Sequence, residues 1–473
     1  MHLRSRLKAI PAIIYTALLI LVCISGPFHE APSDVKPLIG SASVTEVTLS
    51  CGTYPVETTE ITAVIQSEDV SKLDGLSYLT RADFSGSSCW KEIAEWGQSH
   101  PLLDLKYTVT LPDGTVLDNS TTGLDLSSLD QSDVAETAEA LACLPAVTYI
   151  KLGTLTIADV TVIHEACPNA ELDYSLTLYG HEINLNASSL DFRGTEISDE
   201  AAALVEVLPL MTQCTYLDMD STGVSNETLA KIREQFPNID VVWRVWFGTN
   251  YSVRTDVERI LASKPTVGGM IYDASVLQYC TKVKYLDLGH NDELPDIDFV
   301  RNMPELEVLI IAMTAVRDIS PLENCPKLEY LELNSTNISD ISPLKNSTEL
   351  HHLNIAGCPN IKDISSLYGL TELERLWIGK DTPVPAEQVS AMKAAVPGCT
   401  INTTTEDPHG ESWRYTGYDP EIPKYYWVPR YELLREQLGY NYQEYSFYWL
   451  DPLCDKEAPA EFKGKYGKEV YGK

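Results

Sequence analysis

The residues whose types and spacing come nearest to a chemical site are Asp218-Met219-Asp220-Ser221-Thr222-Gly223. They match the first half of a helix-loop-helix calcium loop, in which alternating carboxylates start an oxygen cage that a bidentate Glu at the twelfth position must close. Leu229 stands at that position. Because Tyr216-Leu217-Asp218-Met219 also keeps the phase of a strand motif described below, these aspartates are expected on a structural turn. The adjacent pair His351-His352 could ligate a metal, but it falls within a strand motif, and exposed surface histidines are the expected reading. GxSxG, GxxxxGK(S/T), HExxH, GxGxxG and CxxC do not occur, which leaves acyl transfer, phosphate cradling, zinc hydrolysis and dinucleotide binding without a motif. No catalytic residue, cofactor or metal is assigned, and the chain is expected not to be an enzyme.

Composition narrows the field further. The chain has 473 residues and a formal net charge of −33. That excess of acid argues against nucleic acid, where Lys and Arg must replace phosphate counterions, and against a polybasic membrane face. With 44% apolar and 22% charged residues the chain has the make-up of a folded protein, too long for one ordinary globule. Arg4, Arg6 and Lys8 precede an uncharged run from Ala9 to Phe28, an order that reads as a secretory signal or an uncleaved anchor in residues 1–28. Membrane contact is expected through that segment alone. Of the 11 cysteines, Cys280 and Cys325 sit three residues before a strand motif and Cys143 four before its counterpart, as small core residues would. Cys51 with Cys89 is the one pair considered for a disulfide. Eight Asn-x-Ser/Thr sites are either glycan acceptors or a by-product of a turn-rich chain.

The elements that organise these residues are repeats. Five segments share the pattern apolar-x-x-apolar-x-apolar: Val283/Leu286/Leu288, Leu306/Leu309/Ile311, Leu328/Leu331/Leu333, Leu350/Leu353/Ile355 and Leu373/Leu376/Ile378, starting 23, 22, 22 and 23 residues apart. Between them recur Asp296-Ile297, Asp318-Ile319-Ser320-Pro321-Leu322, Asp340-Ile341-Ser342-Pro343-Leu344 and Asp363-Ile364-Ser365-Ser366-Leu367. The alternation predicts a short strand. Ser-Pro predicts a capped single turn on the opposite side, with the serine hydroxyl as cap. One such unit cannot bury its own apolar face, whereas stacked units can. A longer period precedes them. Strands are expected to open at Tyr78-Leu79, Tyr149-Ile150 and Tyr216-Leu217, and others to run over Leu105–Leu111, Leu172–Leu178 and Val241–Phe247, each just after Pro101, Pro168 or Pro237. Leu124-Asp125-Leu126 and Leu190-Asp191-Phe192 add strands, and Asn226–Phe236 and Val389–Ala395 read as helices.

With both motifs holding phase, the sequence resembles the leucine-rich repeat superfamily: residues 283–380 are similar to its 22-residue, internalin-like class, and 76–255 to a more degenerate form. The asparagine usual after the strand is largely missing. The resemblance implies an α/β solenoid, a curved leucine-rich repeat array with a parallel β-sheet on the concave face and helices or short turns on the convex face. It also implies an exported, bacterial-type surface protein that recognises a macromolecule. The organisation expected is a leader or anchor at 1–28, an N-terminal flank at 29–75, long degenerate repeats at 76–270, short repeats with a terminal helix at 271–404, and an aromatic-rich segment at 405–473.

Thirteen aromatics lie between Trp413 and Trp449. They are expected to cap the last repeat, which every open solenoid requires, or to form a platform for sugar or peptide. Outward strand positions of the short repeats align in two columns: Asp287, Ile310, Glu332, Asn354, Trp377 and, before them, Tyr285, Val308, Tyr330, His352, Arg375. Tyr285, Val308, Ile310, Tyr330, Glu332, His352, Asn354, Arg375 and Trp377 are therefore the candidate partner-binding residues, rich in the types that dominate interfaces, unless the aromatic segment or a curled loop covers them. Non-catalytic protein recognition or adhesion at the cell surface is the expected function, with carbohydrate or cell-wall binding through the Tyr- and Trp-rich segment as the alternative.

Overall fold

The computed structural model describes residues 45–248, 251–264, 270–406, 413–419, 421 and 424–427. Glu46–Leu49 (β1) and Gly52–Pro55 (β2) form an antiparallel hairpin. After it, Glu60–Thr62 (β3), Arg81–Asp83 (β4) and Asp104–Lys106 (β5) pair in parallel. This alternation of hairpin and parallel triplet then repeats. Thr108–Thr110 (β6) and Val116–Asp118 (β7) are followed by Gly123–Leu126 (β8), Tyr149–Leu152 (β9) and Glu171–Asp173 (β10). Ser175–Leu178 (β11) and His181–Asn184 (β12) are followed by Ser189–Asp191 (β13), Tyr216–Asp218 (β14) and Asp240–Val242 (β15). A further hairpin, Arg244–Phe247 (β16) with Tyr251–Arg254 (β17), introduces a seven-stranded parallel sheet. Its strands are Arg259–Leu261 (β18), Tyr285–Asp287 (β19), Val308–Ile310 (β20), Tyr330–Glu332 (β21), His352–Asn354 (β22), Arg375–Trp377 (β23) and Thr400–Asn402 (β24). Tyr415–Asp419 (β25) pairs antiparallel with Lys424–Trp427 (β26).

Register is locked by one inward side chain per strand. Ile260, Leu286, Leu309, Leu331, Leu353, Leu376 and Ile401 stand directly opposite one another along the long sheet. A slip of one residue would turn this whole set outward. Leu286, Leu309, Leu331, Leu353 and Leu376 are fully buried, and one hydrophobic cluster runs from Val47 to Cys399. The array is a leucine-rich repeat solenoid: strands on one face, helices or turns on the other, and a shared spine between. Long units carry α-helices such as Ile157–Ala166 and Asn226–Gln235, whereas short ones carry five-residue 3-10 turns such as Ser320–Asn324 and Ser342–Asn346.

Several local expectations change. The cap of each short turn is the aspartate, not the serine hydroxyl: the Ser320, Ser342 and Ser365 N–H groups donate to Asp318, Asp340 and Asp363 Oδ1, each at 2.8 Å. The expected strands at 105–111, 172–178 and 241–247 each break in two, the first piece ending a parallel triplet and the second opening a hairpin. Tyr107, Tyr174 and Trp243 sit at the breaks, buried, with Tyr107 Oη on Cys143 O (2.7 Å), Tyr174 Oη on Leu155 O (2.6 Å) and Trp243 Nε1 on Asn226 Oδ1 (2.9 Å). The strand expected at Tyr78-Leu79 starts at Arg81, leaving Tyr78 exposed. Repeats also reach back into the expected flank, because β3 is the first strand of a parallel unit.

The slot of the missing asparagine is filled. Asn291 donates to Ala262 O (3.0 Å) and Leu288 O (2.8 Å) and accepts from the Ile271 N–H (2.8 Å). Thr314 and Thr336 follow it one repeat apart, their hydroxyls donating to the Ile311 and Leu333 carbonyls at 2.8 and 2.7 Å; Cys358 takes the next slot, and the Thr382 hydroxyl donates to Ile355 O of the preceding repeat at 2.9 Å. Cys51 and Cys89 are both free, which overturns the disulfide considered for them. Cys89 is instead one of a series whose Sγ contacts a carbonyl one repeat upstream: Cys89 on Ile65 O (3.4 Å), Cys167 on Leu141 O (3.5 Å), Cys325 on Val300 O (3.7 Å) and Cys358 on Leu333 O (3.2 Å). Burial pushes the Cys325 thiol up to about 12, which makes it an unreactive core group.

Truncating the spine should cost far more than truncating a surface leucine. Leu353→Ala is expected to destabilise by about 2–5 kcal/mol, and Leu102→Ala, at 97% exposure, by less than about 0.5 kcal/mol. Urea titrations followed by circular dichroism measure both.

Candidate functional site

The nine candidate residues all lie on the strand face, in the two columns expected: Tyr285, Val308, Tyr330, His352 and Arg375 are register partners, as are Ile310, Glu332, Asn354 and Trp377. Their surroundings differ from an open docking ribbon. Eight are buried and Arg375 is half-buried. Residues far along the chain account for the burial over the middle of the sheet. Trp413, itself 1% exposed, places its ring centroid 5.5 Å from Tyr330, 5.8 Å from His352 and 5.4 Å from Trp377. The Arg375 guanidinium lies 4.3 Å from the Trp377 centroid and 5.9 Å from that of Trp413, within cation–π reach of both.

Glu332 is the electrostatic centre of this arrangement. Its Oε1 accepts from Trp413 Nε1 at 2.8 Å, from Arg414 Nε at 2.8 Å and from the Tyr330 hydroxyl, while Oε2 takes Arg414 Nη2. Burial by itself would push this carboxyl up, but the Arg414 charge, with the hydrogen bonds of Arg414, Tyr330 and Trp413, holds it below the usual carboxylate range. The bidentate guanidinium–carboxylate geometry makes this the strongest kind of side-chain pairing. Arg414 also helps push His290 down, after burial.

Other column members have structural duties that the sequence pattern conceals. Asp287 Oδ1 accepts the Gly289 N–H (2.9 Å) and Asn354 Oδ1 the Ala356 N–H (3.0 Å), closing the turn that ends each strand. Asp83, Asp125, Asp191 and Asp218 do the same for Ser85, Ser127, Arg193 and Asp220 at 3.0–3.1 Å. Part of the acidic excess is therefore turn chemistry that recurs at several strand ends. The histidines expected at the surface are not exposed: His352 is buried, His351 is half-buried, and both face Glu374, at 3.4 and 3.3 Å. His352 alternates outward into the covered face, which is why exposure fails there.

The Asp218–Gly223 turn holds arginines. Arg254 reaches Asp218 (3.0 Å), Asp220 (3.4 Å) and the Tyr216 hydroxyl (2.9 Å), and Arg244 reaches Asp220 (3.2 Å) and Ser252 (3.0 Å). All four charged groups are buried, so the hairpin β16–β17 is clamped onto the third triplet by a compensated ion network. Among the described residues no group of His, Cys, Asp and Glu could hold a metal, and no helix is long and apolar enough to cross a membrane. The segment 1–28 lies outside the described residues. So do the aromatic side chains of the segment 405–473 other than Trp413, which faces inward.

Residues 304–346 match the family model of leucine rich repeats in two copies. No curated protein matches the sequence. Among solved structures the chain is similar to an internalin, inlF, of Listeria monocytogenes, with 19% identity over 75% of this chain and 85% of that one and a TM-score of 0.29. It is also similar to the LRR protein LIC12759 of Leptospira interrogans (14% identity, 70% and 91% coverage, TM-score 0.28). A third is the functional domain of InlJ of Listeria monocytogenes, described as including a cysteine ladder (16% identity, 75% and 65% coverage, TM-score 0.26).

Two outcomes test this site. Asp220→Ala strips Arg244 and Arg254 of a shared buried partner and should destabilise by about 3–5 kcal/mol, whereas millimolar calcium should leave the calorimetric Tm of the native chain unmoved. Glu332 has its pKa lowered by folding, so its contribution is complete above the unfolded value of about 4.3 and is lost as pH falls through the folded value. The near-UV circular dichroism difference between the native chain and Trp413→Phe should therefore persist at neutral pH and fade only below that value.

Proposed function

We propose that this chain is a non-catalytic, exported leucine-rich repeat protein that recognises a protein partner on the strand face of its short repeats. The observation that carries the reading is that this face already accommodates polypeptide, with Trp413 and Arg414 seated on Tyr330, Glu332, His352 and Trp377. Aromatic rings, a cation–π arginine and one desolvated carboxylate are the groups that dominate protein interfaces, and solenoids of this kind use extended strand faces for binding. Export rests on Arg4, Arg6 and Lys8 ahead of the apolar run Ala9–Phe28. The net charge of −33 favours basic protein surfaces as partners.

Residues 30–473, immobilised, should capture a discrete protein from a surface proteome and give no signal on a glycan array. Substituting Tyr330→Ala with Trp377→Ala should reduce that capture at least about tenfold, the loss of two interface anchors. Glycan binding that disappears on deleting 405–473 from a still-folded chain would replace this reading with the carbohydrate one.

A further inference from the structure

The chemistry of the short-repeat face specifies more than that something binds. In the column along the sheet, Glu332 stands between Ile310 and Asn354, and it is 0% exposed. A carboxylate in that position is costly unless donors surround it. The solenoid supplies one, the Tyr330 hydroxyl, and the other three come from Trp413 and Arg414, more than eighty residues later in the chain. The repeats thus carry half of a recognition site whose other half is an indole beside a guanidinium.

The occupant in place leaves part of that half-site unsatisfied. Asn334, in the turn two residues after Glu332, is 0% exposed, and neither its Oδ1 nor its Nδ2 has a hydrogen-bond partner. The Trp377 indole N–H, in the ring cluster around Trp413, also lacks one. Buried polar groups left without partners are destabilising, so a segment with the same Trp-Arg pair and additional polar groups would fit better than the one present.

We infer that the face around Glu332 is a recognition site for a polypeptide segment carrying an indole next to a guanidinium, and that Trp413–Arg414 fills it in cis as a self-ligand that a partner displaces. This rests on the protein-recognition reading above and names its ligand chemistry. Because the tethered pair competes at an effective concentration near millimolar, a free segment of equal chemistry binds the native chain weakly.

The test uses full-length protein and a fluorescent synthetic peptide of residues 409–419. The variant Trp413→Ala/Arg414→Ala should bind the peptide about 1,000-fold more tightly than the native chain, the factor a millimolar tethered competitor imposes on a micromolar ligand. Adding Glu332→Gln to the opened variant should weaken binding at least about tenfold, as losing the charged acceptor of a bidentate arginine requires. A peptide with both residues changed to alanine should not bind. An opened variant that melts cooperatively yet does not bind the peptide overturns the inference, as does binding that is indifferent to Glu332→Gln. Loss of the cooperative melt in the opened variant also overturns it, since the pair would then be a structural cap. If the peptide results fail while partner capture survives Glu332→Gln, protein recognition stands and only this site falls.

Discussion

A strand of three residues with one inward side chain cannot stay folded alone, and the architecture of this protein follows from that shortage. Each repeat closes its apolar face on its neighbours, so Ile260, Leu286, Leu309, Leu331, Leu353, Leu376 and Ile401 form one continuous row. The row makes register non-negotiable, and register in turn places outward residues in columns. Hydrogen-bond ladders reinforce the stacking at its edges: Asn291, the threonines that follow it, and the cysteine thiols all tie one repeat to carbonyls of the same or the preceding one. None of these cysteines needs an oxidant to do its work.

The long units solve a different problem with the same device. Three parallel strands are followed by an antiparallel hairpin, and the joint is marked by a buried aromatic whose polar end finds a backbone or amide oxygen: Tyr107, Tyr174 or Trp243. Where the last of these hairpins precedes the seven-stranded sheet, packing is supplemented by charge. Asp218 and Asp220 with Arg244 and Arg254 form a network that is costly to desolvate and strongly destabilising to break, which makes it a device for holding one arrangement.

Charge plays the opposite role on the face of the short repeats. Glu332 is compensated by a segment outside the repeats, so the electrostatics of the sheet are complete only when an indole and a guanidinium sit on it. If that face is the recognition site proposed above, affinity there depends on how fully the incoming groups satisfy Glu332, Asn334 and Trp377, and a tethered occupant sets the threshold that any other must exceed.

In the short repeats, period, strand positions, inward leucines and the identity of the outward columns were all legible in the sequence, because a two-residue alternation within a fixed repeat leaves side-chain direction no freedom. The core duty of the cysteines and the structural use of Asp218 and Asp220 were legible for the same reason. What the sequence could not disclose was which acceptor closes each turn, since Asp318 and Ser320 are both competent caps and only geometry chooses. Nor could it disclose the hairpins, hidden because their first strands run on from the parallel ones with a single aromatic between. The state of the candidate face was beyond it too. Periodicity assigns a direction to Tyr330, Glu332, His352 and Trp377, but whether that direction leads to water depends on Trp413 and Arg414, which share no phase with the repeats. Their position is decided by a desolvated carboxylate and a ring cluster that exist only once the solenoid has folded.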